Sequence, residues 1–226
     1  PGASRLMVTK GALDNVLQVC THLRRGEQDV TLNEAELATI AQRFADWSEQ
    51  GFRVLGLATR ALPDQPHYGR DEEKDMTFRG FLLFFDPPEP GVKDTLATLD
   101  GLGVQVKIIS GDNHLVVRHV GQAVGLPVER IITGGELSAM KDEALMHLAP
   151  RTTLFAEVDP NQKERIIRAL QKTGHVVGYM GDGINDAPAL QVADIGISVD
   201  NAADVAKQAA DFVLLEHDLN VLREGI

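Results

Sequence analysis

The sequence predicts an α/β fold in which a doubly wound parallel sheet follows a smaller α+β region. From Arg79 onward, short strands rich in β-branched residues alternate with helices of about ten residues, a pattern typical of a parallel sheet covered on both faces. A polar, proline-bearing stretch at residues 62–75 indicates a loop between two lobes. We therefore expect two domains, at residues 1–77 and 78–226.

The first region alternates strand and helix signals. We expect a strand at residues 5–9, helices at 13–20 and 33–49, and a strand at 52–59. The longer helix carries apolar residues at a spacing of three or four, which predicts one buried face. These residues are Leu37, Ile40, Ala41, Phe44 and Trp47. Trp47 is therefore expected in the core.

The second region repeats a strand followed by a helix. The expected strands are FLLFFD (81–86), VQVKIIS (104–110), TTLFAEV (152–158), HVVGYM (175–180), IGISV (195–199) and FVLLE (212–216). The expected helices cover residues 91–102, 114–124, 161–172 and 202–210, with a short helix after HVVGYM. In such sheets the ligand crevice lies beyond the carboxyl ends of the strands, so functional side chains are expected there.

The composition limits the classes of partner. The chain has 226 residues, of which 43% are hydrophobic, so it can bury a sizeable core. Its 22 Lys and Arg against 33 Asp and Glu give a net charge of -11, which argues against nucleic acid as a partner. The sequence has no run of about 18 apolar residues, the length that a membrane-spanning helix requires.

The strongest functional signal is the turn Gly181-Asp182-Gly183-Ile184-Asn185-Asp186, which follows HVVGYM. Two carboxylates about 4 Å apart repel by roughly 1 kcal/mol in water and roughly 4 kcal/mol at a dielectric of 20, so such a pair calls for a cation or a proton. Mg²⁺ fits, because carboxylates, waters and substrate phosphate are its usual ligands. The alternative is a solvated turn that caps the next helix.

Two further strand ends carry polar residues. Ser110-Gly111-Asp112 lies between a strand and a helix, where a hydroxyl and free backbone N–H groups can bind phosphate. The same residue types are common helix caps, and that alternative stays open. Lys163 lies at the start of a helix, where a cation is disfavoured, so it either points into water or neutralises an anion.

Together these motifs resemble the P-type cation-transporting ATPases, in that family's order and over essentially the whole chain. The motifs are Lys10-Gly11-Ala12, Asp86-Pro87-Pro88, Ser110-Gly111-Asp112, Lys163 and the string GDGINDAPAL at residues 181–190. The last is among the most specific strings of the family. The segment ADIGISVDNAADVAKQAADFVLLE, with TTLFA upstream, is most similar to the bacterial magnesium-transporting branch.

The resemblance implies a phosphorylation domain of haloacid dehalogenase type at residues 78–226. Residues 1–77 would form the C-terminal part of a nucleotide-binding domain, with Lys10, Gly11 and Arg53 in the ATP pocket. The implied cofactors are Mg²⁺ and ATP. The implied partners are the transported cation, reached through a membrane domain outside this sequence, and the rest of the polypeptide.

The resemblance also implies roles for the residues at the strand ends. Asp182 would bind Mg²⁺, and Asp186 would complete the metal site. Asn185 would support the metal site and the phosphoryl oxygens. Ser110 and Gly111 would contact the phosphoryl group, and Lys163 would balance its charge. Asp112 would help order Mg²⁺ and nucleotide.

The sequence departs from the family pattern in three places. Glu89 follows Pro88 where the family usually has arginine, which puts a phosphate contact there in doubt, and Ser110 replaces the commoner threonine. The motif Asp-Lys-Thr-Gly-Thr, which carries the phosphorylated aspartate, does not occur. We therefore expect a catalytic fragment from the cytoplasmic face of a membrane pump, inactive by itself, whose exposed strand edges make it self-associate.

Two other functions remain as alternatives. A free-standing phosphatase of the same superfamily would need an Asp-x-Asp motif after an early strand, whereas Asp86 is followed by Pro87 and Pro88. The other is that the isolated chain is only a binding module for Mg²⁺ or nucleotide, without catalysis of its own.

Overall fold

A computed structural model describes residues 5–215, 219 and 221 of the chain. It divides into two compact units, Pro1–Asp86 and Pro87–Ile226, so the division falls later than the predicted boundary after residue 77. The first four residues of FLLFFD, the strand expected to open the second domain, form the end of a longer strand, Met76–Phe84, that pairs with the strand Arg53–Leu62. An apolar run predicts a strand but not its partner, so the sequence could not show that this strand pairs within the first unit.

The first unit is a five-stranded mixed sheet with two helices. Its strands are β1 (Arg5–Gly11), β2 (Cys20–Arg25), β3 (Gln28–Thr31), β4 (Arg53–Leu62) and β5 (Met76–Phe84), in the spatial order β1-β4-β5-β2-β3. Its helices are α1 (Leu13–Gln18) and α2 (Glu34–Glu49). Neighbouring strands are antiparallel except β2 and β5, which are parallel. This mixture is the α+β character expected of the first region.

The hairpin formed by β2 and β3 differs from the prediction. The first helix ends at Gln18, and Cys20, expected to belong to it, begins β2. Gly26 turns the chain between the strands with φ of +59°, a left-handed conformation that glycine adopts without strain. Charged residues surround the facing pair Leu23 and Val30, so the sequence alternation that predicts a strand is weak here.

Helix α2 buries a narrower face than its sequence predicts. Asn33 caps it, since its side chain accepts the N–H of Glu36 at 3.0 Å. Ile40 is buried, and the ring of the half-buried Trp47 meets Phe81 edge-on with centroids 5.0 Å apart. Leu37 remains exposed at the start of the helix. The α2 face and α1 pack into one apolar cluster, which contains Leu13, Val16, Ile40, Ala58, Met76 and Phe78.

The second unit consists of short parallel strands linked by helices. Its strands are β6 (Ile108–Ile109), β7 (Ile131–Thr133), β8 (Leu154–Ala156), β9 (Gly178–Met180), β10 (Ile195–Val199) and β11 (Phe212–Leu214). Its helices are α3 (Val92–Gly101), α4 (His114–Ala123), α5 (Gly134–Ala139), α6 (Asp142–Leu148), α7 (Pro160–Lys172), α8 (Ala187–Val192) and α9 (Asp204–Ala209). The strand β7 and the helices α5 and α6 were not predicted. Glu216, the predicted end of the last strand, lies outside the described residues.

The strand pairing confirms the predicted α/β class. Every pair in the described part of this unit is parallel: β6 with β8, β7 with β8, β9 with β10 and β10 with β11. The strands form two three-stranded sheets, ordered β6-β8-β7 and β11-β10-β9, rather than the single sheet expected. Ile109 of β6 and Val177, just before β9, each pack against both of the larger apolar clusters of this unit.

Strand β8 shows how helices cover both faces of its sheet. Leu154 and Ala156 cluster with Val117 of α4, whereas Phe155, between them, clusters with Ile166 of α7. Alternate residues of a strand point to opposite faces, and all three β8 residues are fully buried. This central strand therefore fixes the position of the connection that follows it, residues 157–159. In the described residues, no helix combines the length and hydropathy needed to cross a bilayer.

Candidate functional site

The connection from β8 to α7 joins two of the predicted motifs. Helix α7 begins with a reciprocal cap: the Asp159 side chain accepts the N–H of Gln162 at 2.8 Å, and the Gln162 side chain accepts the N–H of Asp159 at 3.0 Å. Such a cap fixes where a helix starts. The first turn of α7 therefore places Lys163 in a defined position beside the chain that follows β9.

Lys163 forms an ion pair with Asp186. Its Nζ donates to Asp186 Oδ1 at 2.7 Å, and the two side chains are only 12% and 11% exposed. The sequence left two readings for Lys163, solvation or neutralisation of an anion, and the structure supports the second. A lysine in the first turn of a helix is disfavoured by the helix dipole, and the carboxylate of Asp186 offsets that cost.

Asp186 receives two further hydrogen bonds. The hydroxyl of Tyr179 donates to Oδ1 at 2.6 Å, and the N–H of Gly183 donates to Oδ2 at 3.0 Å. Burial opposes ionisation of this carboxyl, but the hydrogen bonds from Lys163, Tyr179 and Gly183 outweigh it and hold the pKa of Asp186 below its usual range. Asp186 is therefore a buried carboxylate committed to partners inside the chain.

Asp182 lies in the same turn but is exposed, as is Asn185. The backbone carbonyl of Asp182 accepts the N–H of Ala203 at 2.9 Å, which ties the turn to the chain before α9. The negative charge of Asp182 contributes to raising the pKa of Tyr179, after the larger effects of burial and of Asp186, so the two carboxylates lie near one tyrosine. An exposed carboxylate and carboxamide are hard oxygen donors of the kind that suits Mg²⁺.

The two predicted metal carboxylates, Asp182 and Asp186, differ in exposure and in hydrogen bonding. Among the described residues there is no group of three or more His, Cys, Asp or Glu arranged to hold a metal ion. Magnesium needs only one or two carboxylates when waters and phosphate supply its other ligands. Because both oxygens of Asp186 already accept hydrogen bonds, Asp182 is the carboxylate of the turn that is open to such an ion.

The Ser110-Gly111-Asp112 loop packs against the same β8–α7 connection. The N–H of Ser110 donates to the carbonyl of Phe155, and the N–H of Val158 donates to the carbonyl of Ser110. Within the loop, the Ser110 hydroxyl donates to Asp112 Oδ2 and accepts the N–H of Asp112, both at 3.1 Å. The connection therefore touches the serine loop directly and reaches Asp186 through Lys163, so both motifs border one region of the second unit.

The start of α4 is not the free anion site that its sequence suggested. Asn113 Oδ1 accepts the N–H groups of Leu115 and Val116, and Glu157 Oε1 accepts the N–H of His114 at 3.1 Å. These N–H groups of the first turn therefore have partners inside the chain. A phosphate at this edge would meet the loop residues Ser110 and Gly111 rather than the first turn of α4.

Glu157 holds an unusual backbone conformation at this junction. Its φ is +58°, although it is not glycine. Its N–H donates to the carbonyl of Asp112 at 2.8 Å, and its side chain lies 2.8 Å from Nδ1 of His114. The carbonyl of Glu157 lies against Gly134, where an added Cβ would sit only 2.1 Å from that oxygen. Strained backbone of this kind persists only where its surroundings enforce it.

The first unit contains the other predicted binding residues. Lys10 and Gly11 lie on β1, opposite Leu57 and Gly56 of β4, and Arg53 begins β4. Arg53 lies four positions from Leu57 along the strand, so Lys10 and Arg53 share one face of the sheet at a separation of roughly 13 Å. Gly56 faces the opposite way, toward Val16 of α1. Both cationic side chains are exposed, on the face away from α1.

Three residues at the second-unit site were not singled out from the sequence. Tyr179 lies within the strand HVVGYM, where an aromatic residue reads as core packing. Glu157 and Gly134 belong to a contact between distant segments, and no local pattern predicts it. Glu157 could have been proposed because it is an acidic residue directly after a buried strand, and functional groups lie at the carboxyl ends of parallel strands.

The chain is similar to known proteins over nearly all of its length. It is 44% identical over 225 residues to the magnesium-transporting ATPase, P-type 1, of Salmonella typhimurium, covering 98% of this chain and 25% of that protein. Its identity to the protein of that name from Escherichia coli K12 is 45% over 221 residues, covering 97% of this chain and 25% of that protein. Calcium-transporting ATPase 1 of Saccharomyces cerevisiae is 36% identical over 225 residues, covering 96% of this chain and 24% of that protein.

The chain therefore spans about a quarter of the length of these relatives. The resemblance to P-type ATPases, and to the magnesium-transporting branch in particular, is confirmed by these identities. The sequence pattern of the haloacid dehalogenase-like hydrolases matches residues 14–194. This range includes the sheet β6-β8-β7, strand β9 and the site residues Ser110, Lys163 and 181–186, but not strands β10 and β11. The chain belongs to the haloacid dehalogenase-like hydrolase family.

Proposed function

We propose that the chain is the cytoplasmic catalytic segment of an ATP-driven P-type cation pump that transports magnesium. One observation carries the proposal: the β8–α7 connection holds the serine loop by its backbone and reaches the GDGIND turn through the Lys163–Asp186 pair. This brings a hydroxyl, a lysine and a carboxylate turn to one region, the set that phosphoryl transfer to and from a carboxylate requires. The similarity to magnesium-transporting ATPases supports the same function.

The second unit would act as the phosphorylation domain. Ser110 and Gly111 would bind the transferred phosphoryl group, Lys163 would balance its charge, and Asp112 would help order Mg²⁺ and nucleotide. Asp182 would ligate Mg²⁺, with Asn185 beside it. When bound, Mg²⁺ would neutralise negative charge that develops on the phosphoryl oxygens.

Asp186 would serve that site through Lys163 rather than as an open ligand. Its carboxylate holds the lysine ammonium at 2.7 Å, in a setting where both groups are largely buried. A fixed ammonium costs no reorganisation when charge develops on a bound phosphoryl group, which is the basis of electrostatic catalysis. The pair of metal carboxylates expected from the sequence thus becomes, in this proposal, one open ligand and one positioning group.

The first unit would act as part of the nucleotide-binding domain. Lys10 and Arg53 lie on one face of its sheet, and roughly 13 Å is compatible with contacts to different parts of one ATP molecule. Gly11 would contact the nucleotide only through its backbone, because the position of its missing side chain faces Val16 of α1, on the side of the sheet away from Lys10. With this assignment, the boundary between the two domains would fall near Asp86 rather than after residue 77.

The phosphorylated aspartate would come from another part of the polypeptide. In the described residues, β6 and β9 are edge strands of separate parallel sheets, while Ile109 and Val177 beside them pack against shared apolar clusters. A strand paired with both edges would join the two sheets into one. Parallel sheets are normally buried and continuous, so this arrangement favours insertion of a further strand, and its carboxyl end would deliver the aspartate to Ser110 and Lys163.

The same reasoning makes a free-standing phosphatase the weaker alternative. Such an enzyme needs its nucleophilic carboxylate at the end of a strand in the parallel sheet. Asp86, the early candidate, instead follows β5 of the mixed sheet in the first unit. By itself the chain would act as a Mg²⁺- and nucleotide-binding module, and ATP hydrolysis and cation transport would belong to the whole protein at the membrane.

A segment exchange tests the proposed function. This chain would replace the matching segment of the Salmonella magnesium-transporting ATPase in cells that lack their own magnesium uptake. We expect the chimera to restore growth at low magnesium and to form an acid-stable, hydroxylamine-sensitive phosphoenzyme from ATP. Lys163→Met and Asp182→Asn should each abolish phosphoenzyme formation, while Asp100→Asn, on an exposed helix position of the same unit, should not.

Membrane insertion of each chimera is measured in parallel, so that loss of activity is separated from loss of protein. A chimera present at the level of the native pump that forms no phosphoenzyme would contradict the proposal. A phosphoenzyme that survives Asp182→Asn would retain the function but contradict the assignment of the metal ligand.

A further inference from the structure

Tyr179 places a hydroxyl group inside the site. It lies in β9, is only 8% exposed, and its ring packs in a cluster with Ile167 and Leu190. Its hydroxyl donates to Asp186 Oδ1 at 2.6 Å. A tyrosine hydroxyl is usually given a partner when it is buried, but here that partner is a carboxylate that also holds the site lysine.

The contacts around Asp186 leave its side chain little freedom. Oδ1 accepts from Lys163 Nζ and from the Tyr179 hydroxyl, and Oδ2 accepts from the N–H of Gly183. Gly181 allows the close approach, since an added Cβ there would lie 2.6 Å from Asp186 Cβ and 3.0 Å from Tyr179 Cε1. The hydroxyl, the glycine and the lysine together select one orientation of the carboxylate.

We infer that Tyr179 is a positioning residue, whose hydroxyl holds Asp186 in the orientation that fixes the ammonium of Lys163. The inference rests on the proposed function for its consequence, because a fixed Lys163 matters most where a phosphoryl group is transferred. Charge-assisted hydrogen bonds in a largely buried network are stronger than neutral ones. Loss of the Tyr179 hydroxyl would give the Asp186 carboxylate more rotational freedom, and with it the ammonium of Lys163. Tyr179 thereby acts on Lys163 without touching it.

The ring and the hydroxyl of Tyr179 can be tested separately. A phenylalanine at this position would fill the same volume in the cluster with Ile167 and Leu190. If Tyr179 served only to fill the core, Tyr179→Phe would leave the site unchanged. Tyr68→Phe is the matched control, because Tyr68 also uses its hydroxyl, donating to the carbonyl of Pro63 at 3.0 Å in the first unit.

The test measures hydrogen exchange of the Lys163 ammonium group with water by NMR, at one fixed pH and temperature, in the 226-residue chain. Lys163→Met identifies the signal by its loss. We expect a slowly exchanging ammonium in the wild type and exchange faster by roughly three- to tenfold in Tyr179→Phe, the range that loss of one hydrogen bond gives. Tyr68→Phe should match the wild type.

Equal exchange in wild type and Tyr179→Phe would overturn the inference, and so would a Lys163 ammonium that is unprotected in the wild type. The chimera described above supplies a second readout, where Tyr179→Phe should lower the rate of phosphoenzyme formation without changing the ATP concentration at half-maximal rate. A chimera that forms no phosphoenzyme at all would contradict the proposed function, while the exchange measurement would still decide the role of Tyr179.

Discussion

Asp186 and Gly134 show at the scale of single residues how closely the second unit is constrained. Asp186 accepts hydrogen bonds from a lysine, a tyrosine and a backbone N–H, and its ionised form is stabilised despite burial. Gly134 lies against the carbonyl of the strained Glu157, where no side chain fits. Each residue supports a prediction that can be checked in the chain by itself.

Asp186→Asn should lower the free energy of unfolding by about 3 kcal/mol or more at pH 7, because it leaves the largely buried Lys163 without its counter-charge. The folded-state pKa of Asp186 lies below its unfolded value of about 3.9, so its contribution is complete above that value and is lost as pH falls. The difference between wild type and variant should therefore shrink below about pH 4.

Urea unfolding followed by circular dichroism at a series of pH values measures this difference. Asp100→Asn, an exposed change of the same type, serves as the control and should change stability little at any pH. A difference that stays constant down to the lowest pH at which the chain remains folded would contradict the assigned ionisation of Asp186.

Gly134→Ala should destabilise the second unit by about 1–3 kcal/mol, because the new methyl group meets the backbone carbonyl of Glu157 and the backbone must shift. Gly135→Ala is the matched control in the same helix, since its Cβ would meet only Thr133 Oγ1, at 3.9 Å. Thermal unfolding of the two variants makes the comparison. Equal stability of both would show that the Glu157 junction is looser than the structure indicates.

Helix α7 carries the site at the scale of secondary structure. Its reciprocal cap at Asp159 and Gln162 fixes the first turn, and Ile166, Ile167 and Leu170 anchor it in the core. Asp159→Ala should lower stability by about 0.5–2 kcal/mol, because one N–H at the start of the helix loses its acceptor. Asp159→Asn keeps an acceptor oxygen, so its free energy of unfolding, measured with urea, should stay close to that of the wild type. Equal losses in both variants would contradict the cap.

The elements differ in how well the sequence predicts them, and the reasons are physical. Helix α7 and strand β10 carry clear apolar patterns, and the structure places β10 at the predicted residues 195–199. Strand β7 and helices α5 and α6 have three, six and seven residues, which is too few for an apolar periodicity to be recognised. The hairpin of β2 and β3 is similarly hidden by its charged residues.

The sequence proposes site residues but not the contacts between them. Asp182, Asn185 and Ser110 could be proposed because polar groups after parallel strands lie at the ligand edge of the sheet. The pairing of Lys163 with Asp186 involves residues 23 positions apart, and the sequence did not predict it. The contact of Tyr179 with Asp186 crosses a turn that only the folded backbone defines.

At the scale of the whole molecule, the two parallel sheets present edge strands. β6 and β9 each pair on one side only among the described residues. Unpaired edges are templates for association with another strand.

We therefore expect sedimentation equilibrium to show that the isolated chain self-associates in a concentration-dependent manner. Addition of a peptide with an apolar strand ending in the Asp-Lys-Thr-Gly-Thr motif should reduce that association, whereas a scrambled peptide should not. A compact monomer at all concentrations would contradict this expectation.

A Mg²⁺ titration of the chain by calorimetry tests whether the GDGIND turn is the magnesium site of a phosphoryl-transfer centre. Asp182→Asn should weaken binding by more than the roughly 10- to 100-fold that loss of an outer-shell partner costs, while Asp100→Asn should leave the dissociation constant unchanged. Binding that survives Asp182→Asn unchanged, or is lost equally in both variants, would show that Mg²⁺ does not bind through Asp182.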